Sequence, residues 1–137
     1  MTLGDVNWVA VVVAAVISIV LGFLWYSKVL FGKQWQAEHG WSDSDLKKKQ
    51  KDMGPSYGLM IVGSLVAAYV LALVVRAFSA STTGNGVSIG FWVWLGFVAT
   101  TQLGKVLWEG KSWKLFSIDT GYSLVSYALM GAVLASL

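Results

Sequence analysis

The sequence has no cysteine, one histidine and one proline, and only 12% of its 137 residues are charged. Without cysteine, disulfides and thiolate metal sites are excluded. With His39 as the sole histidine, paired-histidine haem ligation is excluded too, and His39 is expected to be solvated, with no metal or cofactor bound. A soluble domain carries about 25% charged residues. This chain has about half of that, which excludes intrinsic disorder and speaks against an ordinary soluble enzyme. The pI of 9.2 does not point to nucleic acid, because the charges sit in loops between long apolar runs.

Apolar residues dominate, at 56%. Four runs stand out, at about 6–26, 57–75, 87–104 and 115–137. A hydrocarbon core of about 30 Å needs about 20 helical residues at about 1.5 Å each, and each run meets that length. The charge inside them is limited to Asp119. From Val9 to Leu24 the first run is apolar on every face, broken only by Ser18. A soluble helix would keep a polar face, and barrel strands would alternate. The expected fold is all-α: one polytopic four-helix transmembrane domain over residues 1–137, with a short cytoplasmic helix. The leader Met1–Asn7 lacks Lys and Arg and contains Asp5, so the first run is expected to stay as a span and not to be cleaved as a signal peptide.

Lysine placement sets the expected orientation. Segment 28–55 holds Lys28, Lys33, Lys47, Lys48, Lys49 and Lys51, and segment 105–114 holds Lys105, Lys111 and Lys114. The other side has only Arg76, which can snorkel to headgroups. Both segments are thus expected in the cytoplasm and both termini outside the cell membrane. Trp8, Phe78, Phe91 and Trp92 would line the outer interface, and Trp25, Tyr26, Tyr57, Trp108 and Trp113 the inner one.

Ser42-Asp43-Ser44-Asp45 offers helix caps for a lysine-rich stretch, Leu46 to Asp52, which Gly54-Pro55 would end. Lys47, Lys48, Lys49 and Lys51 either meet anionic lipid headgroups or merely set topology. Ser79–Gly86 reads as a flexible connector.

Two strings resemble each other: Lys28-Val29-Leu30-Phe31-Gly32-Lys33-Gln34-Trp35, and Lys105-Val106-Leu107-Trp108-Glu109-Gly110-Lys111-Ser112-Trp113. Leu21-Gly22-Phe23 and Leu95-Gly96-Phe97 precede them. The physical reading is a duplicated helical hairpin, a parallel repeat about an axis along the membrane normal.

Ala10, Ala14, Ser18 and Gly22 recur every four residues, a stripe that lets helix backbones approach closely. Each later span carries a similar face, as at Ala68 and Ala72 or at Gly86 and Gly90. Such faces serve an internal bundle or join subunits.

Polar residues gather at the cytoplasmic halves of spans three and four. Thr101, Gln102, Lys105 and Glu109 lie three or four apart and share a helix face. Lys105 and Asp119 are each seven residues from Ser112, so they are expected at one depth as an ion pair, with Gln102 and Tyr122 a layer deeper. The cluster is either a binding or ion site or a pin for the hairpin.

The stretch Trp94-Leu95-Gly96-Phe97 to Leu103, then Leu107-Trp108-Glu109-Gly110-Lys111-Ser112-Trp113-Lys114-Leu115-Phe116, Gly121-Tyr122 and Met130-Gly131-Ala132, resembles a family of small bacterial integral membrane proteins. Asn7-Trp8, Gly22-x-x-Trp25-Tyr26-Ser27 and Leu30-Phe31-Gly32 are similar to its amino-terminal motif. That family is catalogued only as a domain of unknown function. The resemblance implies a four-span membrane protein and no activity. Its members often carry Pro at the position of Lys28 and Asn at that of Asp119, so it does not make the charge pair a family feature.

No Ser/His/Asp set and no phosphate-cradling glycine loop is present, so an enzyme is not expected. Two readings stay open. One is a structural, accessory or lipid-interacting component, as a homo-oligomer or a subunit of a larger complex. The other is an oligomeric channel or transporter for a small ion or anionic metabolite.

Overall fold

The computed structural model describes residues 5–137. The part of the uncleaved-leader expectation that rests on residues 1–4 lies outside the described residues. Four helices are long and apolar enough to cross a membrane: Trp8–Trp25, Gly54–Ala77, Thr83–Leu107 and Trp113–Ser136, spans one to four. Two bend helices, Gly32–His39 and Asp43–Lys51, lie between spans one and two.

Side-chain caps set where the spans begin. Asn7, Thr82 and Ser112 each accept a backbone N–H three residues on, from Ala10, Asn85 and Leu115. Such a cap stabilises a helix start by about 1 kcal/mol. Span two has no such cap. Pro55 sits in its first turn, where a missing N–H leaves no bond unmade. Gly54-Pro55 therefore opens span two, whereas the bend helix before it already ends at Lys51.

Half of the expected connector Ser79–Gly86 is helix. Thr82 caps the start, and Thr83 to Gly86 are the first turn of span three. Gly86 and Gly90 explain why this turn is held. A Cβ on Gly86 would run into the Gly131 carbonyl, and one on Gly90 into that of Tyr127. Spans three and four touch there backbone to backbone, which is how membrane helices gain packing without a hydrophobic drive.

Spans one and three run parallel, and both are antiparallel to span four: Trp25 bonds Ile118, while Gly86 lies on Gly131. Span four is the hub. It packs on span three most, then on span one, then on span two. The core is built of Val11, Ala14, Ala15, Ala68, Leu71, Ala72 and Met130. Mostly small side chains bring the backbones close, and the large ones face outward. Val9 is 67% exposed and Leu59 74%. In water such faces would drive aggregation. Against acyl chains they cost nothing.

The repeated strings do not adopt a repeated local structure. Lys28-Val29-Leu30 is a turn, whereas Lys105-Val106-Leu107 is the last turn of span three. Gly32 to Trp35 opens a bend helix, whereas Gly110 to Ser112 is a connection that caps span four. Gly22 lies against Tyr122, while its counterpart Gly96 meets nothing. The two hairpins run the same way but pack unequally.

Candidate functional site

Residues 118–120 of span four are gripped from both sides. Trp25 Nε1 donates to the Ile118 carbonyl at 3.0 Å, and Trp94 Nε1 to the Thr120 carbonyl at 2.9 Å. Between them, Tyr26 donates its hydroxyl to Asp119 Oδ1 at 2.7 Å. Trp25 and Tyr26 thus stand at the inner end of span one, as expected, with their polar atoms turned toward span four. Their N–H and O–H groups need partners in a dry bundle, and span four supplies those partners.

This grip corrects the expected ion pair. Lys105 does not reach Asp119, and among the described residues the one ion pair is Arg76 with Asp5, at 4.0 Å at the opposite end. Lys105 is exposed, because its long stem carries the ammonium toward water. Asp119 Oδ1 is taken by Tyr26, and Oδ2 has no protein donor.

The expected face of span three is also rearranged. Trp94–Ala99 is a π-helical segment, which shifts the register below it. Thr100 Oγ1 donates to the Gly96 carbonyl at 2.7 Å, and Thr101 Oγ1 to those of Phe97 and Val98 at 2.9 Å. Thr101 therefore serves the carbonyls of its own helix. Glu109 lies past the helix end at Leu107, in the turn before Gly110, so four-residue stacking never reaches it.

The remaining candidates converge. Gln102, Lys105, Asp119 and Tyr122 line one cavity of about 1010 Å³ at the lysine-bearing end of the bundle. Lys28, Lys49, Trp35, Trp41, Tyr57 and Met60 line it as well, so the first bend meets the lysine-bearing end of span three there. Gln102 Oε1 is buried without a hydrogen-bond donor. An orphaned buried acceptor costs about 1–3 kcal/mol.

Toward the bundle centre the cavity ends on Tyr122, whose ring lies on Gly22. Behind it, Tyr122 donates to the Ser18 carbonyl at 2.9 Å, and Ser126 Oγ donates to Ser18 Oγ at 2.8 Å. Ser18 and Ser126 are buried, and so are Ala10 and Ala14 above them. The Ala10–Ala14–Ser18–Gly22 stripe therefore packs inside the chain.

A chain of rings forms the outer wall. Tyr122 meets Tyr26 at 5.6 Å, and Tyr26 meets Trp35 at 5.6 Å. Trp35 touches His39 at 4.7 Å, and His39 stacks on Trp41 at 4.3 Å. Lys49 Nζ lies 4.4 Å from the Trp41 ring centroid, a cation–π contact. His39 is therefore not free in solvent. Its burial, then the positive charge of Lys111, lowers its pKa. Asp119 opposes, and Lys105 and Lys49 add to the lowering. Lys47, Lys48 and Lys51 are exposed on the second bend helix. That helix starts at Asp43 on a capping box, with Ser42 and Asp45 exchanging bonds, and the bonds from Ser42 hold the Asp45 carboxyl below its usual range.

The sequence reading missed the first bend helix and its aromatic wall. The available signal was Trp35 and Trp41 in an otherwise polar segment, where large rings need a surface to cover.

A family model described as a protein of unknown function, DUF1761, matches residues 9–135. The chain belongs to the DUF1761 family. No curated protein and no solved structure matches it. The DUF1761 match covers the four membrane-competent helices but for Trp8 and Ser136, and every residue of the cavity, so the cavity lies within the family's own domain.

Proposed function

We propose that this DUF1761 protein is a lipid-interacting component of the cell membrane that takes an amphiphile of the cytoplasmic leaflet into its cavity. The single observation that carries this reading is the cavity itself, a dead end with two kinds of wall. Phe23, Tyr57 and Met60 give it an apolar side. Gln102, Asp119 and the lysines give it a polar side. Its volume is at the upper end of the usual range for ligand pockets, about 300–1,000 Å³. Span two meets span three mainly near the opposite end, through Thr83–Val93. Between their lysine-bearing ends, acyl chains have room to pass.

Orientation follows from the lysines. With both bends cytoplasmic, the cavity opens at the depth of inner-leaflet headgroups.

The test is native mass spectrometry of the detergent-purified, delipidated protein titrated with phospholipid. One lipid retained per chain is expected, with retention lost in Met60→Trp, which fills the apolar side. Equal retention by Met60→Trp overturns the reading.

The second reading, an anion channel or transporter, is favoured by the lysines on the rim. Against it stands the Ser18–Tyr122–Ser126 layer behind the cavity, so any path would need a second copy. Flux of a small anion into protein-loaded liposomes, with no lipid retained, would establish that reading instead.

A further inference from the structure

The cavity carries a specific set of unmet demands. Among the described residues, the half-buried Asp119 has no cation partner, although Lys105 lines the same space. Its Oδ2 has no donor, and the buried Gln102 Oε1 has none either. Both acceptors look for N–H or O–H groups. Rings of Tyr26, Trp35 and Tyr122 stand around them, surfaces that favour a cation. At the rim, Lys28, Lys49 and Lys105 look for an anion.

An occupant that meets all three demands bears a cation with N–H donors close to an anionic phosphate. We infer that the cavity binds a phosphoethanolamine headgroup, its primary ammonium on Asp119 and Gln102 and its phosphate on the lysine rim. This rests on the lipid-binding reading above and narrows it. A trimethylammonium headgroup has the cation but no N–H, so it leaves Gln102 unmet. A glycerol headgroup has hydroxyl donors but no cation, so it leaves the Asp119 charge uncompensated. Gln102 Oε1 is already buried without a donor, and a headgroup that seals the cavity would take water from Asp119 Oδ2 as well; acceptors left unpaired in that way are what make such discrimination steep. The same headgroup chemistry exists on a lipid and as free O-phosphoethanolamine, and the two sources differ only in the tail.

The experiment titrates the delipidated full chain with phosphatidylethanolamine, phosphatidylcholine and phosphatidylglycerol of identical acyl chains, read by native mass spectrometry. Phosphatidylethanolamine is expected to bind about tenfold tighter than either of the others, the worth of one charge-assisted hydrogen bond. Asp119→Asn keeps an acceptor for Tyr26 and is expected to erase the preference over phosphatidylglycerol. Gln102→Leu is expected to erase the preference over phosphatidylcholine. Competition with O-phosphoethanolamine separates the sources: displacement assigns the site to the headgroup alone, and failure to displace assigns it to the whole lipid. Equal binding of the three lipids overturns the headgroup assignment and leaves the lipid reading standing. Retention of no lipid at all overturns both. A preference that persists in both variants also overturns the assignment, because other groups would then be reading the headgroup.

Discussion

Tyr26 donates its hydroxyl to Asp119 Oδ1 across 2.7 Å and so ties the end of span one to the first turns of span four. Charge spacing alone had pointed to Lys105 as the partner of that carboxylate. The tyrosine wins because its ring is already packed between Tyr122 and Trp35, so little further ordering is needed. Lys105 keeps its hydration instead.

Removing the hydroxyl should therefore matter more than removing the ammonium. Tyr26→Phe is expected to destabilise the bundle by about 1–2 kcal/mol. Lys105→Met is expected to stay within about 0.5 kcal/mol, as exposed sites do. Reversible unfolding in mixed detergent micelles measures both. A Lys105→Met cost equal to that of Tyr26→Phe would restore the ion pair and remove this account.

The glycines of spans three and four make a paired prediction. Gly86→Ala or Gly131→Ala puts a methyl group into a backbone contact that only glycine fits. The spans must part, and the expected cost is about 1–3 kcal/mol. Gly96→Ala, on the same span as Gly86 but with open space around it, should be neutral or slightly stabilising, since Ala holds helix better than Gly. The same unfolding assay reads the difference, and a cost at Gly96 as large as at Gly86 would show that its face is covered by another chain.

The spans were legible because one physical quantity, the length of an uninterrupted apolar run, decides them. The edges moved by a few residues where a cap such as Thr82 or Ser112 recruited polar residues into the first turn. The site was half legible. Gln102, Lys105, Asp119 and Tyr122 do share a cavity, because they stand near the same end of neighbouring helices. Thr101 and Glu109 dropped out for reasons that periodicity cannot carry: a π segment and an early helix end. The aromatic wall was not legible, because Trp35 and His39 belong to a bend whose path over the bundle no local pattern encodes.

His39 gives the wall a pH dependence. Its pKa is depressed, first by burial and then by Lys111, with Lys105 and Lys49 adding to this and Asp119 opposing. The folded state therefore holds fewer protons than the unfolded state, whose histidine titrates near about 6.5. The stabilisation from this site is complete above that pH. It is lost as pH falls through the lower, folded value. Acidification should then loosen the Trp35–His39–Trp41 stack, seen as faster hydrogen exchange in residues 32–51. His39→Phe, which stacks without titrating, should abolish the pH response while keeping the stack. Persistence of the response in that variant would place the titrating group elsewhere.

Topology carries the most weight, and the absence of cysteine makes it directly testable. Ser44→Cys in the first bend and Lys111→Cys in the second are each exposed, as is Ser81→Cys in the turn between spans two and three. A membrane-impermeant maleimide applied to intact cells should reach the Ser81 position and neither bend. After lysis it should reach all three. The two bends must agree, whichever side they face, because Lys49 from one and Lys105 beside the other line a single cavity. Agreement on the exposed side would reverse the leaflet that the cavity serves but keep its walls. Disagreement would separate those walls by the thickness of a bilayer, about 30 Å, and no ligand could then meet the lysines, Asp119 and the aromatic wall together.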